Sequence, residues 1–272
     1  MVTKETLDFL FSFLYKESGL VLDESKTYLI ETRLMPLAVQ EGFSSIEDLG
    51  KQMKSSPAPL LLQKVVEAMT TNETSFFRDR VPFDTFKKVI YSLMKVNEKT
   101  RRIRIWSACC STGQEPYSMA LTLCEMGADL KLWDIQILAT DIDTKVLQHA
   151  KEGIYSQYEA QRGLPITYLT RYFNQKGTSW EIIPEVKKFV NFQKLNIVSG
   201  SFGAGGMDII FCRNVLIYFD IPTKKKILDQ MANTLAPNGA LFLGGVETPL
   251  GITDKFTRVE LDKGIYYKKS GH

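Results

Sequence analysis

The chain has 272 residues, 44% hydrophobic and 24% charged, with a formal net charge of +3; this suits a soluble globular protein of one large or two modest domains, with no apolar run near the roughly 20 residues that span a bilayer. Four cysteines (Cys109, Cys110, Cys124, Cys212) without CxxC spacing, and an N-terminus without a signal-peptide layout, exclude a zinc ribbon or disulfide framework and point to buried thiols in the cytoplasm. Only two histidines, His149 and His272, disfavour hydrolases built on a Ser-His or Cys-His pair, and His149 reads as a surface or packing residue.

The first 70 residues read as helical. Leu7, Leu10, Phe11, Leu14 and Tyr15 recur at helical spacing, and Gly19 is placed to end that helix. A second helix is predicted from Ser25 to Gln40, burying Tyr28, Leu29 and Leu34 and kinked or interrupted at Pro36. Ser44 and Glu47 have capping-box spacing at the start of a third, and Pro57 to Pro59 precede a fourth over Leu60–Val66. Residues 1–70 carry 7 Lys/Arg against 10 Asp/Glu, whereas 71–272 carry 27 against 21. The basic excess lies in short clusters, Arg101-Arg102-Ile103-Arg104 and Lys224-Lys225-Lys226, which read as solvated faces. No aromatic-interleaved basic stripe suggests nucleic acid, while an acidic protein partner suits the larger part.

From about residue 101 the pattern becomes strand, turn, helix. Ile103–Cys109 is a predicted buried strand, and Ser111-Thr112-Gly113-Gln114-Glu115-Pro116 opens a helix to about Met126. Asp134–Ala139 is a second strand, ending in Thr140-Asp141-Ile142-Asp143 before another helix. Strands follow at Phe189–Leu195 and Met207–Cys212, then a helix over Pro222–Leu235 and a strand over Ala240–Gly244. Two short strands near Thr257–Glu260 and Ile265–Lys268 close the chain, expected as an antiparallel pair. Strands alternating with helices imply a doubly wound sheet, interrupted by an insertion over 154–187.

In such folds ligands bind at the carboxyl edge of the sheet, beside helix N-termini. The turn Ala108-Cys109-Cys110-Ser111-Thr112-Gly113 lacks GxGxxG, which disfavours a dinucleotide. Asp141, at the end of the next strand, stands where an acidic residue accepts hydrogen bonds from ribose hydroxyls. A nucleoside without a diphosphate fits both, and S-adenosylmethionine (SAM) is the candidate. Bland readings stand beside these. Thr112 and Glu115 have capping-box spacing, and Asp143 is placed to cap the helix starting near Thr144. A further strand, Met207–Cys212, stops at Arg213-Asn214 and is followed by Tyr218, which puts polar groups near the same edge.

Four segments, Thr70-Thr71-Asn72-Glu73-Thr74-Ser75-Phe76-Phe77-Arg78, Ser111–Ser118, Ala139–Asp143 and Phe211–Asp220, occur in an order that resembles the CheR family. These are the SAM-dependent protein-glutamate O-methyltransferases of bacterial chemotaxis, and the resemblance covers nearly the whole chain. It implies an all-α N-terminal domain over 1–70, a linker and helix over 71–100, and a SAM-binding α/β methyltransferase domain over 101–272. That domain has a doubly wound sheet with an antiparallel closing strand and a small β-subdomain inserted at about 154–187. By motif position, Asn72, Thr74 and Arg78 would reach the cofactor from the linker, Glu115 and Asp141 would hold its amino-acid end and ribose, and Asn196, Ile197, Arg213 and Asn214 would complete the pocket. Tyr218 would lie beside the methyl group and, with Arg78, would be catalytic. The resemblance implies SAM as methyl donor, S-adenosylhomocysteine as product, no metal, a monomer, and cytoplasmic helices of methyl-accepting chemotaxis receptors as partners. Neither nucleic-acid binding nor membrane insertion is expected. Two features depart from the family. Asn174–Trp180 is short where members that dock on a receptor's C-terminal pentapeptide carry a longer glycine-rich loop, so that docking is doubtful. Lys26 and Arg33 are offset by Glu24 and Glu31, which weakens the basic helix face.

A glutamate carboxylate is ionised at neutral pH, so its methylation needs alignment more than a general base. Competing readings are a SAM-dependent methyltransferase of another substrate and a non-catalytic SAM-sensing or receptor-binding module. Arg213-Asn214-Val215-Leu216 is not the Asn-Pro-Pro-Tyr type motif of amino-methylating enzymes, and the missing GxGxxG disfavours a nicotinamide dehydrogenase.

Overall fold

The computed structural model describes residues 2–199 and 205–270. They fall into two units, one reaching to Thr71 and joined by Tyr218–Lys224, the other formed by the remainder.

The first unit is helical: α1 (Lys4–Ser18), α2 (Thr27–Gln40), α3 (Ile46–Ser55) and α4 (Pro59–Ala68). Thr3 caps α1 by accepting the Thr6 N–H, and Gly19 ends it at φ 72°, its N–H donating to the Tyr15 carbonyl. The core comes from Leu10, Leu14, Ile30, Leu34, Leu37, Leu49 and Val65. Several local expectations are corrected. Tyr28 is 60% exposed, because Ile30, Leu34 and Leu37 form the buried face of α2. Pro36 does not interrupt α2, which runs on to Gln40. The cap of α3 is Ser45, which accepts the Asp48 N–H, not Ser44 with Glu47. Glu47 instead takes the Thr3 and Thr6 hydroxyls of α1. Arg33 turns from its own helix to the end of α4, donating to the carbonyls of Met69 and Thr70 at 2.7 and 3.0 Å. A cation there complements the unsatisfied carbonyls of a helix C-terminus.

The second unit begins with α5 (Val81–Val96) and β1 (Arg102–Ala108), then α6 (Gln114–Met126), β2 (Asp134–Asp141) and α7 (Thr144–Glu152). An inserted region carries β3 (Ile154–Ser156), α8 (Gln157–Gln161), α9 (Ile166–Tyr172), β4 (Phe173–Lys176), β5 (Ser179–Ile182) and α10 (Pro184–Lys187). The chain returns through β6 (Val190–Lys194), β7 (Met207–Cys212), α11 (Ile221–Thr234), β8 (Leu235–Leu243), β9 (Phe256–Leu261) and β10 (Gly264–Lys269). The main sheet has the order β6-β2-β1-β7-β8-β10-β9, parallel from β6 to β8, with β10 antiparallel to both β8 and β9. The predicted antiparallel closing pair is β9 and β10. In the insertion, β3, β5 and β4 form a separate antiparallel sheet.

Phe83, Phe86, Ile90 and Leu93 recur every three or four residues on α5 and are buried on one face. Phe83 and Phe86 meet Phe211 of β7 with ring centroids 5.9 and 5.7 Å apart, and Phe211 stacks on Phe242 of β8 at 4.4 Å. Truncating such a ring to alanine removes about 3–5 kcal/mol. Gly264 lets α5 close on β10, since a Cβ there would collide with the Thr85 side chain. The order of the parallel strands reverses beside β1, between β2 and β7, and that switch point sets where a ligand site belongs. Among the described residues no helix is long and apolar enough to cross a membrane, and no group of three or more His, Cys, Asp or Glu is placed to hold a metal ion.

Candidate functional site

The carboxyl ends of β1, β2 and β7 bring the polar residues of the second unit together. β1 stops at Ala108, so Cys109, predicted as the last residue of the strand, lies with Cys110 in the following turn. Cys109, Ser111 and Gly113 all have positive φ (57°, 51° and 93°), and the Cys110 N–H donates to the Thr140 carbonyl at 2.9 Å. The turn is thus folded tightly over the end of β2.

Asp141 holds that fold. One carboxylate oxygen accepts the Ser111 N–H at 2.8 Å and the other accepts the Asp143 N–H at 3.0 Å. An ionised carboxylate has about four acceptor sites, so acceptor capacity remains for a donor such as a ribose diol. Burial pushes the Asp141 carboxyl above its usual range, against the pull of those N–H groups. Its main-chain carbonyl also accepts the Leu195 N–H, which ties in the end of β6. Just beyond, Asn196 folds back on its own turn, its Oδ1 accepting the Val198 N–H at 3.0 Å, and Ile197 is buried.

Asp143 caps α7 through the N–H groups of Lys145 and Val146, and its other oxygen accepts Asn72 Nδ2 at 2.9 Å. The Asn72 carbonyl accepts the Ser111 hydroxyl at 2.8 Å. Asn72 is therefore fastened to the loops after both β1 and β2. Thr74 is half-buried in the same segment, and Phe76 is a core anchor, packed edge-on against Tyr155 and Phe173.

Glu115 is not a capping residue. The N-cap of α6 is Gly113, which has no side chain to close a box with Thr112. The Glu115 carboxylate accepts the Ser107 hydroxyl at 2.8 Å and Arg213 Nη1 at 3.3 Å. Burial raises its carboxyl above the usual range even though Arg213 and Ser107 act the other way. Arg213, with 1% of its side chain exposed, also donates through Nη2 to Asp79 at 2.6 Å and to the Arg78 carbonyl at 3.1 Å. Its guanidinium lies 5.8 Å from the Phe83 ring centroid, and its buried Nε has no hydrogen-bond partner. Phe77, Asp79 and Arg80 all have positive φ, a contorted path that these contacts hold together. The Arg78 side chain is half-buried and donates to the Glu73 carbonyl at 3.1 Å.

The second unit thus gathers Asn72, Arg78, Glu115, Asp141, Arg213 and Asn214 around neighbouring strand ends. Tyr218 belongs to the helical unit, where its carbonyl accepts the Val21 N–H at 3.2 Å. Sequence patterns missed Ser107, Ser111, Asp79 and Glu247. Ser107 and Ser111 flank the end of β1, which was a usable signal; Asp79 follows the linker motif directly; Glu247 sits just past the last parallel strand.

An unpartnered buried guanidinium N–H, spare acceptor capacity on Asp141 and a turn too poor in glycine for a diphosphate fit a nucleoside with a zwitterionic amino-acid end, such as SAM. The family model described as "CheR methyltransferase, SAM binding domain" matches residues 72–265, and "CheR methyltransferase, all-alpha domain" matches residues 5–70. Chemotaxis protein methyltransferase Cher2 of Pseudomonas putida is 40% identical over 261 residues, 94% of each chain. Chemotaxis protein methyltransferase 1 of Vibrio cholerae is 41% identical over 259 residues, and the chemotaxis protein methyltransferase of Vibrio anguillarum 42% over 259 residues, each again covering 94% of both chains. With both family models matched in order and relatives of this likeness along its length, the chain belongs to the CheR methyltransferase family.

Proposed function

We propose that this protein transfers a methyl group from SAM to glutamate side-chain carboxylates of chemotaxis receptors in the cytoplasm, leaving glutamyl methyl esters and S-adenosylhomocysteine. The observation that carries the reading is the placement of buried Asp141 at the end of β2 and of the Glu115–Arg213 ion pair beyond β1 and β7, on the same edge of the sheet, in a chain matched along its length by CheR family models.

Bound SAM would supply an electrophilic sulfonium methyl. Asp141 would accept from the ribose, while the Arg213 Nε–H and the Glu115 carboxylate would face the amino-acid end. Asn72 and Asn196 would hold the loops that border it. Arg213 also neutralises Glu115 and fastens the linker through Asp79 and the Arg78 carbonyl. Arg213 is so engaged, and the Arg78 side chain would align an incoming carboxylate. The nucleophile is already ionised at neutral pH, so orientation and exclusion of water supply the rate enhancement, and no imidazole base is needed.

Incubation with methyl-labelled SAM and receptor-containing membranes should give label that alkali releases as methanol; alkali-stable label would end the ester reading. Tyr218→Phe should lower turnover more than SAM affinity, and the reverse would remove Tyr218 from the reacting centre.

A further inference from the structure

Glu247 collects four backbone N–H groups on one carboxylate. Its Oε2 accepts from Gly244 at 2.7 Å and Asn214 at 2.8 Å, and its Oε1 from Val215 at 2.9 Å and Leu216 at 2.7 Å. Two donors on each oxygen use the acceptor capacity of an ionised carboxylate in full. The residue is 8% exposed, so these bonds form away from water, where an unmet N–H costs about 1–3 kcal/mol.

The local sequence explains how the side chain gets there. β8 ends at Leu243, and the Glu247 N–H donates to the Gly244 carbonyl at 2.9 Å, closing a four-residue turn that folds Glu247 back on the strand end. Gly244 leaves room for it, since a Cβ there would lie 2.6 Å from Glu247 Oε2 and 2.9 Å from Asn214 Nδ2. The other three donors are consecutive residues just beyond β7. Asn214 has φ 60°, the left-handed conformation that asparagine adopts more readily than most non-glycine residues, and it turns the chain at the end of β7. The N–H groups of 214–216 converge as an anion nest, and Glu247 supplies the anion from within the fold.

We propose that Glu247 is a positioning residue of the cofactor site: its carboxylate joins the ends of β7 and β8 and sets the backbone path on which Arg213 and Asn214 stand. The proposal rests on the reading above that these two residues border bound SAM. It makes glutamine a poor substitute despite its equal size, because the amide nitrogen would point its own hydrogens at two N–H donors. Aspartate keeps every acceptor and lacks one methylene.

The test uses the full chain. S-adenosylhomocysteine affinity is measured by calorimetry, KM for SAM and kcat by label transfer, folding by thermal unfolding, and loop amides by hydrogen exchange. Glu247→Gln should weaken S-adenosylhomocysteine binding and raise KM for SAM roughly tenfold or more, with kcat at saturating SAM within about threefold. Glu247→Asp should recover part of that affinity. Gly244→Ala should act like Glu247→Gln, and the double variant should be no worse than the poorer single one. A folded Glu247→Gln that binds S-adenosylhomocysteine within about twofold of the unsubstituted protein would overturn the proposal. Should the variant not fold, the unsubstituted protein decides: slow exchange at the amides of 214–216 supports the clamp, and exchange as fast as in exposed loops overturns it. If the unsubstituted protein binds S-adenosylhomocysteine but esterifies no receptor, the glutamate reading falls and the clamp is still judged by the affinities. Failure of the unsubstituted protein to bind S-adenosylhomocysteine overturns both.

Discussion

The two edges of the main sheet carry the same residue types under different conditions. At the amino edge, Arg104 of β1 pairs with Asp134 of β2, and Asp208 of β7 accepts Asn97 Nδ2 and the Arg104 N–H at 3.0 and 2.8 Å. The Asp134 side chain is 56% exposed, and its hydrogen bond from Arg104 holds its carboxyl below the usual range. Seven residues along the same strand, Asp141 is pushed the other way by burial. Glu115 is raised as well, although Arg213 stands against it. Desolvation thus outweighs the countercharge at one edge, whereas in water the countercharge decides at the other. The carboxyl edge lies beneath loops that close over it, so its polar groups are enclosed while some of their hydrogen-bonding capacity is still unspent.

The largest expected difference between the edges is in stability. Arg213→Ala should lower unfolding free energy by about 3–5 kcal/mol, since it leaves Glu115 buried without its cation. Arg104→Ala should lose no more than about 1 kcal/mol, as an exposed pair does. Similar losses in denaturant titrations of both variants would erase the contrast.

Ligand binding should divide the edges next. Asp141→Asn removes charged acceptors at the site and should weaken S-adenosylhomocysteine binding by roughly tenfold to a hundredfold, while Asp134→Asn should stay within about twofold. Calorimetry on the two variants checks this, and an equal effect would detach the carboxyl edge from the cofactor.

The smallest effect is a difference in sign with pH. Burial raises the Glu115 carboxyl above its ordinary value of 4.5, so its contribution to stability is fully present below that value and is lost as pH rises through the folded one. The stability of the unsubstituted protein relative to Glu115→Gln should therefore fall as pH climbs from about 4.5 toward neutrality. Asp134 is lowered from 3.8, so its contribution is present above that value and is lost as pH falls through the folded one. Denaturant titrations across pH 3–7, a range set by these two directions, should show opposite slopes for Glu115→Gln and Asp134→Asn. A shared sign would mean that the Arg213 pairing overcomes burial at Glu115.

Much of this architecture is legible in local pattern. The strand–helix alternation after residue 101, the stop at Gly19 and the final antiparallel pair follow from periodicity, a left-handed cap and short β-rich runs. Local pattern misled where two local solutions compete. Ser44 and Ser45 both offer a cap, and α3 takes Ser45 because Glu47 is drawn to Thr3 and Thr6. Glu115 has the spacing of a capping box, yet its carboxylate turns to Ser107 and Arg213. Arg33 reads as a surface charge on α2 and is spent on the carbonyls ending α4.

Local sequence accounts for the order of strands and helices outside the 154–187 insertion, for the strand ends at which polar residues gather, and through four motifs for the family. These depend on neighbours within a turn or two, or on motif order. Only the tertiary structure decided the partner of each buried charge. Ser111 reaches Asp141 across 30 positions, Leu216 reaches Glu247 across 31, and Arg213 reaches the Arg78 carbonyl across 135. At such separations the pairing is chosen by strand order and by the need to satisfy every enclosed N–H and carboxylate, which no local spacing encodes.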